Sequence, residues 1–328
     1  MPTNLPPEYF RAEQNFREAE SASAKIVALE EMMSTIPKHK GTDKLRAELR
    51  RKISKLKIDQ QKKKGAGRHE SEFHIDKEGA GRVIITGAAN VGKSSILAAL
   101  THATPVISEA PYSTWTPLPG MMMIEDFQVQ LIDTPPLSQE HAKPELFDLI
   151  RSADLILIVV DLQGTPFQQL EDSLKLLNEH KIIPKQRQSE SVDERRIQFI
   201  PVLVVVNKDD NDHFDEDFIV FKELLEIKLP LVPISVINKR NFENIKNRIF
   251  ESLEIIRIYS KPPGKEADMT KPFIIKKGST LEEFAGKVHH DFLQKLKTAR
   301  VWGSNVYDGQ LVGREHFLHD KDIVELHL

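Results

Sequence analysis

The stretch Gly81 to Leu100, GRVIITGAANVGKSSILAAL, decides how the rest of the chain is read. A short apolar, β-branched run, Val83–Thr86, leads into Gly87-Ala88-Ala89-Asn90-Val91-Gly92-Lys93-Ser94, and an apolar helical pattern follows through Ile96, Leu97 and Leu100. This order predicts strand, tight loop, helix. Glycines at both ends let the backbone curl so that successive N–H groups point inward, and the helix adds the positive end of its dipole. A phosphate chain is the natural guest. Lys93 would reach the β- and γ-phosphates of a nucleoside triphosphate, and the Ser94 hydroxyl would sit on a Mg²⁺ that bridges them. The spacing alone also arises by chance in Gly-rich turns, so the flanking strand and helix carry the reading.

Outward from that stretch, 328 residues suggest two or three domains with ample core. At 40% apolar and 29% charged residues the composition is that of an ordinary globular chain. No apolar run is long enough to span a bilayer, and MPTNLPPEYFRAEQNF lacks the basic-then-apolar pattern of a signal peptide, so a cytoplasmic location without a membrane partner is expected. With no cysteine, disulfides, thiolate zinc sites and cysteine nucleophiles are excluded.

Residues 1–75 read as a basic helical region. Ala19, Ala22, Ile26, Leu29 and Met33 step by three and four, the segment 37–41 breaks the pattern, and Leu45, Leu49, Ile53 and Leu56 resume it, which predicts a helical hairpin. Between Lys38 and Arg68 thirteen Lys/Arg face three Asp/Glu, ending in KKKGAGR. Such a run is often only a solvated face. Its functional reading is a contact with a phosphate backbone, and a flexible basic tail without a large apolar face suits structured RNA better than a membrane surface. No DNA contact is expected.

From about 80 to 260, short β-rich runs alternate with helical ones, the pattern of a mostly parallel sheet with helices on both faces. Expected strands are Val83–Thr86, Met121–Glu125, Val129–Ile132, Leu155–Val160, Val202–Val206 and Val232–Ser235. Binding residues of such sheets belong at the strands' carboxyl ends. Asp133 closes one apolar strand, where an acidic residue downstream of a phosphate loop holds Mg²⁺ through a water. Asn207-Lys208-Asp209-Asp210 closes another. There the Asp210 carboxylate can accept hydrogen bonds from the N1–H and 2-amino group of guanine, which adenine does not offer in that arrangement.

This combination resembles the Ras-like class of GTPases, with Gly87–Ser94, Asp133 and Asn207–Asp210 as its first, third and fourth motifs. Ser235-Val236-Ile237 is similar to the weaker fifth motif, whose backbone touches the base. Pro111-Tyr112-Ser113-Thr114-Trp115-Thr116-Pro117-Leu118-Pro119-Gly120 resembles the switch segment of the Obg superfamily. Thr114 there matches the Thr whose hydroxyl closes on Mg²⁺. Near the C-terminus, Ala299-Arg300-Val301-Trp302-Gly303, Gly309-Gln310-Leu311-Val312-Gly313, His316-Phe317-Leu318 and Asp322-Ile323-Val324 are similar to the TGS domain of the developmentally regulated GTP-binding (DRG) family.

The resemblance implies a fold and a set of site residues. A Ras-like P-loop GTPase domain over 76–260 would follow the helical region, and a small β-grasp TGS domain over 268–328 would follow a linker around Ser260–Lys265. A helix is expected to run to about Thr298. GTP or GDP would contact Asn90, Val91, Gly92, Lys93, Ser94, Ser95, Asp133, Asn207, Lys208, Asp210, Ser235 and Val236. Ser94 and Thr114 would ligate Mg²⁺, with Lys93 and Thr114 the catalytic pair. Ribosome or RNA association and a protein partner at the TGS domain are implied as well.

Three departures leave alternatives open. Asp133-Thr134-Pro135-Pro136 stands where the family has Asp-x-x-Gly, and Pro136 has no N–H to offer a γ-phosphate. Leu137 stands where Ras-like enzymes have a water-orienting Gln. Hydrolysis and simple GTP binding therefore both remain. Asn90 either helps hold a K⁺ against the phosphates or only tolerates the tight loop. Thr134 to Val206 leaves no room for the inserted subdomain that DRG proteins carry there. A third reading, an ATP-using enzyme, would make Asp210 incidental.

Overall fold

The computed structural model describes residues 7–18, 22–36, 49–53, 73–101, 103, 116–138, 143–190, 197–226 and 228–327. Two compact units divide the chain, Met1–Ser71 and Glu72–Leu328.

In the first unit, helix α1 (Pro7–Glu18), helix α2 (Ala22–Thr35) and a helical piece α3 (residues 49–53) share one small core. Tyr9 and Ala12 of α1 pack with Leu29 and Met32 of α2, with Ile36, and with Leu49 and Ile53. Of the stretch read as helical, Ala22–Thr35 is a helix, and its core contacts run through Leu29 and Met32, with Met33 partly buried beside them. The periodic reading did not separate α1, whose buried face is built from Tyr9, Ala12 and Phe16 at helical spacing rather than from aliphatic residues. Most of the basic segment 38–68 lies outside the described residues.

The second unit is built on a six-stranded sheet. Its strands are β1 (Arg82–Gly87), β2 (Leu118–Ile124), β3 (Phe127–Asp133), β4 (Leu155–Asp161), β7 (Val202–Asn207) and β8 (Leu231–Pro233), in the order β2-β3-β1-β4-β7-β8. Only β2 runs antiparallel, hairpinned to β3 through Glu125 and Asp126. The other neighbours are parallel. A parallel sheet is covered on both faces, which is why the central strands read as unbroken apolar runs. Alternation decides the face: Ile84, Ile156, Ile158 and Val160 join one core, while Val83, Ile85, Leu155, Leu157 and Val159 join the other. On the first face lie α5 (Pro144–Arg151), α6 (Pro166–Glu179) and α7 (Asp212–Leu224), through Phe147, Leu170, Leu177 and Phe221. The second face is covered by α4 (Lys93–Leu100) and α8 (Phe242–Leu253), through Ile96, Leu97, Ile245 and Ile249. Between α6 and β7, the short strands β5 (Ile182–Pro184) and β6 (Gln198–Ile200) pair in parallel around a turn of 3-10 helix.

The C-terminal part is a five-stranded sheet packed on a helix, the small β-grasp expected there. Its strands β9 (Ile255–Ser260), β10 (Phe273–Lys276), β11 (Thr298–Trp302), β12 (Gln310–Val312) and β13 (Asp322–His327) are ordered β10-β9-β13-β11-β12. Helix α9 (Leu281–Val288) buries Leu281, Phe284 and Ala285 against Ile256, Ile258, Val301 and Val324.

Two expectations need correction. Sheet membership changes before residue 260, because Ile255–Ser260 pairs with β10 and β13 rather than with the first sheet. The expected linker Ser260–Lys265 is the connection inside a hairpin, and the Lys261 N–H bonds to the Val324 carbonyl at 2.9 Å. The Pro-Pro-Gly run punctuates a turn, a local signal that looks the same within a domain and between two. Nor does one helix reach Thr298. It stops at Val288, His289 is extended, and the His289 imidazole accepts the Asp291 N–H at 3.1 Å to start α10 (His290–Lys295), after which Thr298 already belongs to β11.

Among the described residues no helix is long and apolar enough to cross a membrane.

Candidate functional site

The loop between β1 and α4 is held by backbone that side chains could not accommodate. Gly87 has φ 140°, and a Cβ there would lie 2.4 Å from the Val159 carbonyl oxygen. Gly92 has φ 94°, and its Cβ would lie 2.2 Å from Asn207 Nδ2. That second approach has a purpose: Asn207 Nδ2 donates to the Val91 carbonyl at 2.9 Å, so the end of β7 is tied directly to the phosphate loop. Asn90, exposed at the loop tip, holds φ 60°, a conformation asparagine tolerates better than most residues.

Lys93 opens α4 and is 6% exposed. Its Nζ donates to the carbonyls of Gly87 at 3.2 Å and Ala88 at 2.6 Å, so the amine bridges the loop. Burial pushes its pKa down to about 8, against the pull of the Asp133 charge. Ser94 Oγ donates to Asp133 Oδ2 at 2.5 Å. Asp133 is fully buried, and burial pushes its carboxyl up, opposed by that hydrogen bond and by Lys93. The other oxygen, Oδ1, has no hydrogen-bond partner among the described residues. A hydroxyl beside a buried carboxylate with a spare oxygen is a hard-donor set, and it fits Mg²⁺ with its waters. Ser95 is partly buried in the first turn of α4. Thr114, with the rest of 104–115, lies outside the described residues.

The segment after β3 is pinned beneath the loop. Thr134 Oγ1 donates to the Ile85 carbonyl at 2.8 Å, and the Leu137 N–H donates to the Gly87 carbonyl at 3.0 Å. Pro135, Pro136 and Leu137 are all buried. Pro136 has no N–H, and the next amide is already committed to the phosphate loop.

At the carboxyl end of β7 the second group assembles. Lys208, at φ 68°, places its amine on Asp161 Oδ2 at the end of β4. Asp210 Oδ1 accepts the Ser235 hydroxyl at 2.6 Å, and Asp210 Oδ2 accepts Gln163 Nε2 at 3.1 Å. The Asn238 side chain donates to the Asp210 carbonyl at 2.7 Å, and its N–H donates to Ser235 Oγ at 3.1 Å. Asp209 turns the other way, fully buried, and faces Arg240 at 3.4 Å. Val236 packs on the core shared with α4 and α8. The fold therefore gathers Asn90 to Ser95, Asp133, Asn207, Lys208, Asp210, Ser235 and Val236 around the carboxyl edge of one sheet. Sequence reasoning missed Asp161, Gln163, Asn238 and Arg240. A signal existed for the first two, since they follow the apolar run of β4 at its carboxyl end.

Comparison with known proteins adds to this geometry. Residues 82–208 match the family described as "50S ribosome-binding GTPase", and residues 256–328 match the TGS domain. An uncharacterized GTP-binding protein of Methanocaldococcus jannaschii is 28% identical, covering 92% of this chain and 91% of its own. Developmentally-regulated GTP-binding protein 1 of Xenopus laevis is 27% identical over 92% of this chain and 98% of its own. The first alignment runs over 361 residues, more than the 328 here, so that relative carries segments without a counterpart in this chain. Among solved structures, the YchF GTPase of Schizosaccharomyces pombe superposes with a TM-score of 0.52 at 15% identity, covering 77% of this chain and 99% of that one. A GTP binding protein from Pyrococcus horikoshii gives 0.50 at 16%, covering 75% and 99%. At those identities the two structures speak for the fold alone.

Proposed function

We propose that this chain, a GTP-binding protein of Obg type with a C-terminal TGS domain, binds Mg²⁺-GTP and cleaves it to GDP and phosphate, with the nucleotide state controlling docking on ribosomal or other structured RNA. The observation that carries the reading is the Asn207–Val91 hydrogen bond, with Gly92 lying under Asn207: it joins a phosphate-shaped loop to a guanine-shaped carboxylate in one continuous edge.

In this reading Lys93 gives its charge to the β- and γ-phosphates while the inward N–H groups of Asn90 to Ser95 cradle them. Ser94 and Thr114 would ligate Mg²⁺, and Asp133 would orient its water shell. What the ion supplies when bound is neutralisation of phosphate charge. Asn207, Lys208 and Asp210 hold the guanine, with Ser235 and Val236 beside it. The basic segment 38–68 is the proposed RNA contact, the TGS domain a surface for a protein partner, and the cytoplasm the place of action. Asn90 at its left-handed position is the candidate K⁺ contact.

A second reading, a GTP-binding module that hydrolyses little, is favoured by one observation. Pro136 has no N–H, and the Leu137 N–H is engaged with Gly87, so the segment after Asp133 offers the γ-phosphate no free amide at either position. Phosphate release, followed with Mg²⁺ in K⁺ and Na⁺ buffers of equal ionic strength and with or without ribosomal subunits, separates the two. Mg²⁺-dependent release that rises with ribosomes supports the enzyme; equal rates in the two buffers remove the K⁺ role. Tight GTP binding without stimulated release favours the module. ATP competing equally with labelled GTP removes both. Cosedimentation with ribosomal subunits that survives deletion of residues 1–68 shows that the basic segment is not the contact.

A further inference from the structure

We propose that Gln163 is a positioning residue for base recognition: its amide clamps the Asp210 carboxylate in the orientation that accepts guanine. The proposal rests on the GTP-binding reading above.

The Gln163 amide nitrogen has two hydrogens and two acceptors, the Lys208 carbonyl at 3.0 Å and Asp210 Oδ2 at 3.1 Å. One side chain therefore joins the main chain before the carboxylate to the carboxylate itself. Its own backbone is fixed in turn. The Gln163 N–H donates to Asp161 Oδ1 at 3.0 Å, and the Leu162 N–H donates to the Asn207 carbonyl at 3.0 Å. The Asp161 N–H is capped by Gln169 Oε1 at 2.8 Å, and the second oxygen of Asp161 holds Lys208 Nζ. The β4–α6 connection thus supports the whole Asn-Lys-x-Asp segment, and Gln163 is the part that reaches Asp210.

The consequence concerns rotation. A carboxylate turns easily about its last torsion, where the energy wells are broad and two-fold. Ser235 on Oδ1 and Gln163 on Oδ2 hold it from both sides. Each carboxylate oxygen accepts about two hydrogen bonds, so one acceptor site per oxygen remains for the base. Two parallel donors are what guanine presents through N1–H and the 2-amino group. Without Gln163 only the Ser235 side would be held, and ordering the carboxylate would oppose binding.

Gln163 is exposed, so its replacement leaves the core untouched. The experiment measures equilibrium affinity for GDP, for inosine diphosphate, which lacks the 2-amino group, and for ADP, in wild type, Gln163→Ala and Gln163→Glu, with the thermal midpoint as a folding control. Losing a hydrogen bond to a charged group that orders the base reader, Gln163→Ala is expected to weaken GDP by about tenfold, equivalent to about 1.4 kcal/mol. Inosine diphosphate, held through one donor, is expected to weaken by a factor of about three, so the preference for the 2-amino group shrinks. Gln163→Glu keeps the shape but replaces a donor by a like charge beside Asp210, and should weaken GDP further. A residue that merely fills space would tolerate that change. Equal losses for both nucleotides, no loss, or tighter GDP binding in Gln163→Ala overturns the proposal alone. A wild type that does not prefer GDP to ADP overturns the GTP-binding reading, and the proposal with it.

Discussion

Burial of Lys93 makes a quantitative demand on how nucleotide affinity depends on pH. Its amine lies 6% exposed among loop carbonyls, and desolvation brings its pKa to about 8. An ordinary lysine titrates near ~10.4, so the gap corresponds to about 3 kcal/mol withheld from the charged form. A triphosphate in the loop would return that energy by pairing with the ammonium, raising the bound pKa toward or beyond the ordinary value. Below about pH 8 the amine is charged in both states, and affinity does not respond to it. Above that point binding must bring a proton to Lys93, and affinity should fall by up to about tenfold per pH unit. Stability of the free protein runs the other way, because the unfolded chain holds that proton more tightly and stability rises as pH climbs from 8 toward 10. The assay is an NMR titration of the Lys93 ε-carbon, free and with Mg²⁺-GDP, together with GDP affinities between pH 7 and 9. A midpoint in the free protein near the ordinary lysine value, or one unmoved by GDP, would refute the reasoning.

Three further outcomes follow from particular contacts. Gly92→Ala combines a disfavoured φ of 94° with a Cβ 2.2 Å from Asn207 Nδ2, so it should displace Asn207 from Val91 and cost about 1–3 kcal/mol, with GDP affinity falling at least tenfold; denaturant midpoints and equilibrium binding check both. Asp210→Asn replaces one acceptor oxygen by a donor, and should weaken GDP while improving xanthosine diphosphate, whose 2-oxo group accepts; unchanged selectivity in competition binding would count against Asp210 as the base reader. Arg257→Met removes a side chain that is 2% exposed, stacks on Phe250 and pairs with Glu125, Asp126 and Asp320. Because its carboxylate partners keep some water, the expected loss is about 2–3 kcal/mol rather than the full ~3–5 of a sealed ion pair, read as a lowered thermal midpoint.

Arg257 also shows how the C-terminal β-grasp is fastened to the six-stranded sheet. It sits in β9 of the second sheet, while Glu125 and Asp126 form the turn between β2 and β3 of the first, and Tyr259 adds its hydroxyl to Asp126. Nothing in the run IIRIYS marks it as the first strand of a new sheet, since both sheets draw on the same apolar alternation.

Strand, loop and helix at Gly81–Leu100, and Asp133 and Asn207–Asp210 at strand ends, were readable from the chain alone, because each depends on backbone geometry within a few residues. Tertiary structure decided the rest. The Asn207–Val91 bond that excludes any side chain at Gly92 spans 116 positions, and the Gln163–Asp210 clamp spans 47. Such pairs meet only because β1, β4 and β7 are neighbours in the sheet. The same holds for β9 leaving one sheet for another. A short sequence window encodes torsion preferences and burial, whereas strand order, which sets the partners of a polar group, emerges only when the whole core is packed.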